Sequence, residues 1–227
     1  MLKVHELSKN YGKKQVLNHV SFEVHKGEIV GLVGENGAGK STLLHILATL
    51  QKQSSGHFTI DGQPDKNLRH IRKQIGFVPQ EIALWEDFTV KENMKFFEKL
   101  SWKRVSDETL KALCEAMHLH VWDTLVRSLS GGMKRKLNMA ISLIHDPPIL
   151  LLDEPTVGID LKSKKEIANY LTHVSSANDK TILYISHDMD EITSMCDRVI
   201  SIGDDPFYEQ ILTQAGMEVT KLNNSRD

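Results

Sequence analysis

The junction around residue 34 constrains this chain more than any other feature. Ile29-Val30-Gly31-Leu32-Val33 is a continuous apolar run, the pattern of a strand buried on both faces. It leads directly into Gly34-Glu35-Asn36-Gly37-Ala38-Gly39-Lys40-Ser41, after which Leu43, Leu44, Ile46 and Leu47 recur at helical spacing over 41–50. Strand, glycine-rich loop and helix in that order form a phosphate site. Gly34, Gly37 and Gly39 let the backbone curl so that N–H groups converge, with Glu35, Asn36 and Ala38 between them, and the helix start adds its positive end. Lys40 brings a positive charge to the β- and γ-phosphates, Ser41 offers a hydroxyl to Mg²⁺, and Thr42 reaches the α-phosphate. A chance glycine turn is the bland alternative, and the full GxxxxGKS pattern in this context opposes it.

A second feature lies downstream. The apolar run 149–152 ends in Asp153-Glu154. A carboxylate at the end of a buried strand beside the phosphate-loop strand is placed to hold a Mg²⁺ shell through water. Adjacent strand residues point to opposite sides, so Glu154 is expected to face the γ-phosphate and to position or deprotonate a water. The alternative is a solvated Asp-Glu turn before Pro155. Between the two features, Leu129-Ser130-Gly131-Gly132 opens a further helix, with Ser130 as its N-cap and Met133, Leu137, Ala140, Ile141 and Ile144 as its apolar stripe. Its free N–H groups form a second anion-binding cap.

Along the chain, residues 2–7, 20–24, 58–60, 75–79, 149–152 and 182–185 read as strands, and 163–174 as a helix. Residues 90–125, rich in Glu, Lys, Met and Leu, read as a helical insert. The predicted fold is α/β: a nucleoside-triphosphatase core with a largely parallel sheet, an N-terminal antiparallel β subdomain and an inserted α-helical subdomain. One domain spans 1–227, with 1–80 and 145–205 as catalytic core, about 81–144 as helical subdomain and 206–227 as a short, weakly patterned tail whose residues 223–227 are frayed.

These motifs, in this order over about residues 2–203, resemble the nucleotide-binding subunit of an ATP-binding cassette (ABC) transporter. The resemblance implies ATP and Mg²⁺ as ligands. Tyr11 matches the aromatic that stacks on adenine, and Val16 joins the same contact; a hairpin tyrosine is the plain alternative. Gln80 matches the glutamine that contacts Mg²⁺ or water and couples the site to the membrane partner, although a Gln after Pro is usually a surface residue. His187 matches the switch histidine at the γ-phosphate. In the family, Ser130, Gly131 and Gly132 of one subunit close on ATP held by another, and Asp160 communicates across that interface. The implied partners are a second cassette, expected to be an identical copy, and a membrane-spanning permease. The implied place is the cytoplasm, on the inner face of the membrane.

Two departures stand out. The family's usual glutamine after the glycines is Met133, which removes a polar ribose contact. Met133 followed by Lys134-Arg135-Lys136, and the segment Trp85-Glu86-Asp87-Phe88-Thr89, look like the branch serving bacterial exporters; the Lys-Arg-Lys run reads as a solvated helix face. Ser201-Ile202-Gly203-Asp204-Asp205-Pro206 replaces the usual glycine turn, and no regulatory C-terminal domain is expected.

Composition narrows the rest. A net charge of −2 with a pI of 6.6 gives no footprint for a nucleic-acid partner. Cys114 and Cys196 form no metal or redox pair, as in a reducing compartment. No apolar run is long enough to span a bilayer, and the N-terminus carries no apolar signal. The competing readings are a soluble ABC ATPase acting on ribosomes or nucleic acid, which usually has two cassettes or a long coiled-coil insert; a non-hydrolysing scaffold, which Glu154 and His187 oppose; and, within transport, an importer.

Overall fold

The structure is a computed structural model and describes residues 1–203 and 205–222. Residues 223–227, expected to fray, lie outside the described residues.

Two sheets organise it. The first is antiparallel, in the order β2-β1-β4-β5, from β1 (Leu2–Tyr11), β2 (Lys14–Val24), β4 (Ser55–Ile60) and β5 (Gln63–Pro64). The second is parallel, in the order β10-β9-β3-β8-β7-β6. Its members are β3 (Ile29–Val33), β6 (Ile75–Val78), β7 (Ile149–Asp153), β8 (Thr181–Ile185), β9 (Arg198–Ile202) and β10 (Val219–Leu222). Period-2 alternation divides the central strands between two cores. Val30, Leu32, Leu151, Leu183 and Ile185 face the antiparallel sheet and the helix α1 (Lys40–Leu47). Ile29, Val33, Leu150, Leu152, Ile182 and Tyr184 face a layer that includes α5 (Gly131–Ser142) and α6 (Leu161–Asn178).

The fold class expected from the sequence is observed, with differences in detail. The strand carrying Asp153 is not beside the phosphate-loop strand: β8 pairs with both β3 and β7 and separates them. The insert is not continuously helical. It contains α3 (Val90–Leu100) and α4 (Asp107–Ala116), while 119–125 runs back along the start of α3. Val90 and Lys91 donate their N–H groups to the carbonyls of Thr124 and Trp122, so this segment satisfies donors that a helix start leaves free. Thr89 and Glu92 complete the start of α3 as a capping box.

Residues 206–222 are ordered beyond expectation. Pro206 opens α8 (Pro206–Gln214), capped by Asp205, and β10 then adds an edge strand parallel to β9. Two short helices, α2 (Leu68–Gln74) and α7 (Met189–Met195), also escaped the sequence patterns.

Candidate nucleotide site

At the carboxyl ends of β3, β7 and β8 a cleft of about 540 Å³ opens, lined by Asn36, Gly37, Gly39, Lys40, Ser41 and Thr42 on one side. Gln80, Glu154 and His187 close the other side, and Tyr11, Lys14 and Val16 from the β1–β2 hairpin form its rim. Lys14 was not singled out in the sequence; its place just after the Tyr11-Gly12 turn was the available signal.

The loop's shape follows from its glycines. Gly34, Gly37 and Gly39 all have positive φ, at 143°, 81° and 110°. A Cβ on Gly34 would sit 2.1 Å from the Ile202 carbonyl oxygen, and one on Gly39 would sit 2.7 Å from Leu17 Cδ2. Val16 packs on Gly39 as well, so the hairpin braces the loop. Ala38 is buried and donates its N–H to the Glu35 carbonyl. Lys40 is buried, and its ammonium donates to the carbonyls of Gly34 (2.7 Å) and Glu35 (3.0 Å). Burial pulls its pKa below the usual lysine value, and the carboxylates of Glu154, Asp153 and Glu35 partly oppose this.

Ser41 Oγ donates to Asp153 Oδ1 at 3.2 Å. The Asp153 carboxyl is 2% exposed, and burial raises its pKa above the usual aspartate value, against the Ser41 hydrogen bond. A hydroxyl and a carboxylate side by side are hard oxygen donors suited to Mg²⁺. Among the described residues no group of three or more His, Cys, Asp or Glu side chains could hold a metal ion. A cation here would therefore take further ligands from phosphate or water.

Glu154 is reached differently from expectation. Strand alternation does not aim it, because β7 ends at Asp153 and Glu154 sits in the left-handed region at φ 48°. Its N–H bonds the Ile185 carbonyl, and the turn delivers the carboxylate to the cleft. There Gln80 Nε2 donates to Oε2 at 3.0 Å, and His187 Nε2 lies 3.0 Å from Oε1. The amide of Gln80, expected to meet Mg²⁺ or water, bonds the acidic side chain through its nitrogen. Tyr11 is exposed, its hydroxyl donates to Gln51, and Lys9 Nζ lies 4.9 Å from its ring centroid.

The remaining candidates lie outside this cleft. Ser130 caps α5 by accepting from the Met133 N–H, and both it and Gly131 are exposed. Asp160 caps α6 and accepts from Ser163 Oγ at 2.8 Å. Gly132 is buried directly against that cap: a Cβ would meet Ser163 Oγ at 2.5 Å and Asp160 Oδ2 at 3.1 Å. The Ser130-Gly131-Gly132 turn (the signature turn) and Asp160 are therefore one packed unit. Met133 is half-buried against the helical-side core, which takes its side chain away from any polar role.

The Lys-Arg-Lys run corrects its sequence reading. Arg135 and Lys136 are buried, not solvated. Lys136 pairs with Glu166, Lys134 with Glu86 at 2.6 Å, and Arg135 donates to main-chain carbonyls of residues 79 and 80.

The family profile described as "ABC transporter" matches residues 17–157. The chain belongs to the ABC transporter family. A shorter match, to "AAA domain, putative AbiEii toxin, Type IV TA system", covers residues 123–193. The linearmycin resistance ATP-binding protein LnrL of Bacillus subtilis is 38% identical over 88% of this chain and 65% of its own length. The Nod factor export ATP-binding protein I of Burkholderia orbicola is 40% identical over 86% of the chain and 66% of its own length. A sulfate/thiosulfate import protein, CysA of Salmonella typhi, is 33% identical over 88% of the chain and 57% of its own length. The ABC chain thus spans about two thirds of the length of the curated relatives it matches. Among solved structures, the dimeric ATP-binding cassette MJ0796 bound to ADP and Pi matches with a TM-score of 0.80 at 27% identity, covering 89% of this chain and 94% of that one. The chain accordingly shares the fold of the ATP-binding cassettes of its family.

Proposed function

We propose that this cassette is the ATPase subunit of an ABC exporter, docked on a separate membrane-spanning permease at the inner face of the membrane. One observation carries the reading: the Glu154 carboxylate is held between Gln80 and His187 across the same cleft that Lys40 and the Ser41–Asp153 pair line. In this reading Glu154 accepts the proton of the water that attacks the γ-phosphorus, and His187 contacts the γ-phosphate. Lys40 leaves the Gly34 and Glu35 carbonyls to neutralise phosphate charge, with the loop N–H groups around Gly37 and Gly39 and the side chain of Thr42 completing the cradle. Ser41, Asp153 and the amide oxygen of Gln80 would hold Mg²⁺, which would offset phosphate charge. Tyr11 and Val16 receive the adenine.

Ser130 and Gly131, exposed on their own subunit, close on the nucleotide of a second copy, and Asp160 lies at that seam. The relatives named for export and resistance, together with Met133 after the glycines, favour export over the import for which another relative is named. Residues of about 81–144 act as the subdomain that meets the permease, and no nucleic-acid partner belongs to this reading.

Light scattering on size-exclusion peaks of Glu154→Gln tests it. The variant is expected to be a monomer alone and a dimer with Mg·ATP. A monomer under both conditions would remove the closing homodimer.

A further inference from the structure

Arg135 is a buried charge on α5. It stands one helical turn past Gly131 and Gly132, is 8% exposed and, among the described residues, makes no salt bridge with a carboxylate, although the Glu154 charge acts on it through space. Its Nη1 donates to the Gln80 carbonyl at 2.5 Å and lies 3.5 Å from that of Pro79. Gln80 in turn holds Glu154 by its side-chain amide. A buried guanidinium satisfied by main-chain carbonyls fixes the backbone that makes them. The neighbouring Lys134–Glu86 contact is half-exposed and adds little.

We propose that Arg135 is a positioning residue for hydrolysis, locking the backbone at residues 79 and 80 so that the Gln80 amide orients the Glu154 carboxylate. The proposal rests on the ATPase reading and extends it. Arg135 sits on the helix whose first residues are the signature turn, so α5 and the catalytic carboxylate of the same chain are joined through a single side chain. The join runs from Arg135 through the main chain of residue 80 and its amide to Glu154, and it needs no contact between Arg135 and nucleotide. The long basic side chain spans 55 residues of sequence to do this, where a shorter polar residue on α5 would leave the carbonyls unmet.

The test uses the full chain in two arms. In the first, hydrogen–deuterium exchange is measured without nucleotide on peptides covering 79–88. Arg135→Met is expected to speed exchange there by about tenfold while peptides of β7 and β8 keep their protection. In the second, kcat and KM for Mg·ATP are measured for Arg135→Met, Gln80→Ala and the double variant. Arg135→Met alone is expected to lower kcat by about tenfold with KM unchanged, and to lower it no further on the Gln80→Ala background. Arg135→Lys, which keeps one donor and the charge, is expected to recover most of the rate and serves if Arg135→Met does not fold. Unchanged exchange at 79–88, or an equal loss of kcat on both backgrounds, would overturn the proposal. Wild-type protein with no ATPase activity would instead remove the reading beneath it, and the exchange arm would still decide the backbone lock.

Discussion

The chain contains two glycine-rich turns that open helices, and they are built in opposite ways. The turn before α1 is inward and finished: its glycines adopt positive φ, Lys40 is buried on it, and Asp153 touches Ser41 across it. The turn before α5 is outward: Ser130 and Gly131 are exposed, neither glycine needs positive φ, and only Gly132 is packed. Both expose helix N–H groups that favour anions. One is preorganised by its own chain. The other faces solvent at Ser130 and Gly131, and the Met133 N–H is taken by the Ser130 cap.

The largest expected effect breaks the inward site. Glu154→Gln keeps the size of the side chain and an acceptor for Gln80, so folding is retained while proton transfer is lost. Phosphate release should fall by about 10²–10⁴-fold. An unchanged rate would take Glu154 out of the chemistry and leave its left-handed backbone as a structural feature only.

Next in size is Lys40→Ala. The ammonium is held by two main-chain carbonyls, and its release toward phosphate is the expected step. Charge-assisted hydrogen bonds contribute about 1.5–3 kcal/mol, so the Kd for ATP should rise by about 10–100-fold. Calorimetric titration showing unaltered affinity would place the nucleotide elsewhere.

The outward turn is sharpened by a pair of alanines. Gly132→Ala forces a Cβ to within 2.9 Å of Ser163 Cβ, a clash between packed helices that should cost about 1–3 kcal/mol in stability. Gly131→Ala meets nothing closer than the Gly158 carbonyl at 4.0 Å, so denaturant midpoints should stay within about 0.5 kcal/mol of wild type. Its ATPase rate should still drop by about tenfold, equivalent to one lost contact of about 1.4 kcal/mol. Equal stability losses in both would mean that the turn is structural throughout.

The same contrast explains what the sequence made legible. The inward turn lies in one contiguous stretch, and its strand, glycines and helix can be read in order. So can the Ser130 cap and the Asp153-Glu154 end of β7. What escaped depends on contacts distant in sequence. Strand order is decided by pairing, so β8 between β3 and β7 was invisible to local pattern. Lys134-Arg135-Lys136 has the composition of a solvated face, yet its acceptors lie 48, 55 and 30 residues away. Strand alternation misdirected Glu154 because the turn, and not β7, carries it. The tail looked featureless because β10 has only four residues and gains its place by adding to β9.

The smallest expected effect separates what the inward site costs from what it does. Burial raises the Asp153 carboxyl above its ordinary value, so the folded protein binds a proton there more tightly than the unfolded chain does. Stability therefore falls as pH rises from the ordinary aspartate value through the raised one, and the full cost of the buried charge is present above both. Asp153→Asn removes the charge and keeps an acceptor for Ser41. Nucleotide-free Asp153→Asn should melt above wild type at pH 7.5, by about 2–4 °C per kcal/mol recovered, and the gap should close as pH drops through the acidic range. With Mg·ATP the order should reverse, because wild type alone keeps the carboxylate for the cation. A variant that melts below wild type at pH 7.5 without nucleotide would show that Asp153 stabilises the empty site, and the inward turn would then owe its order to this carboxylate as well as to its glycines.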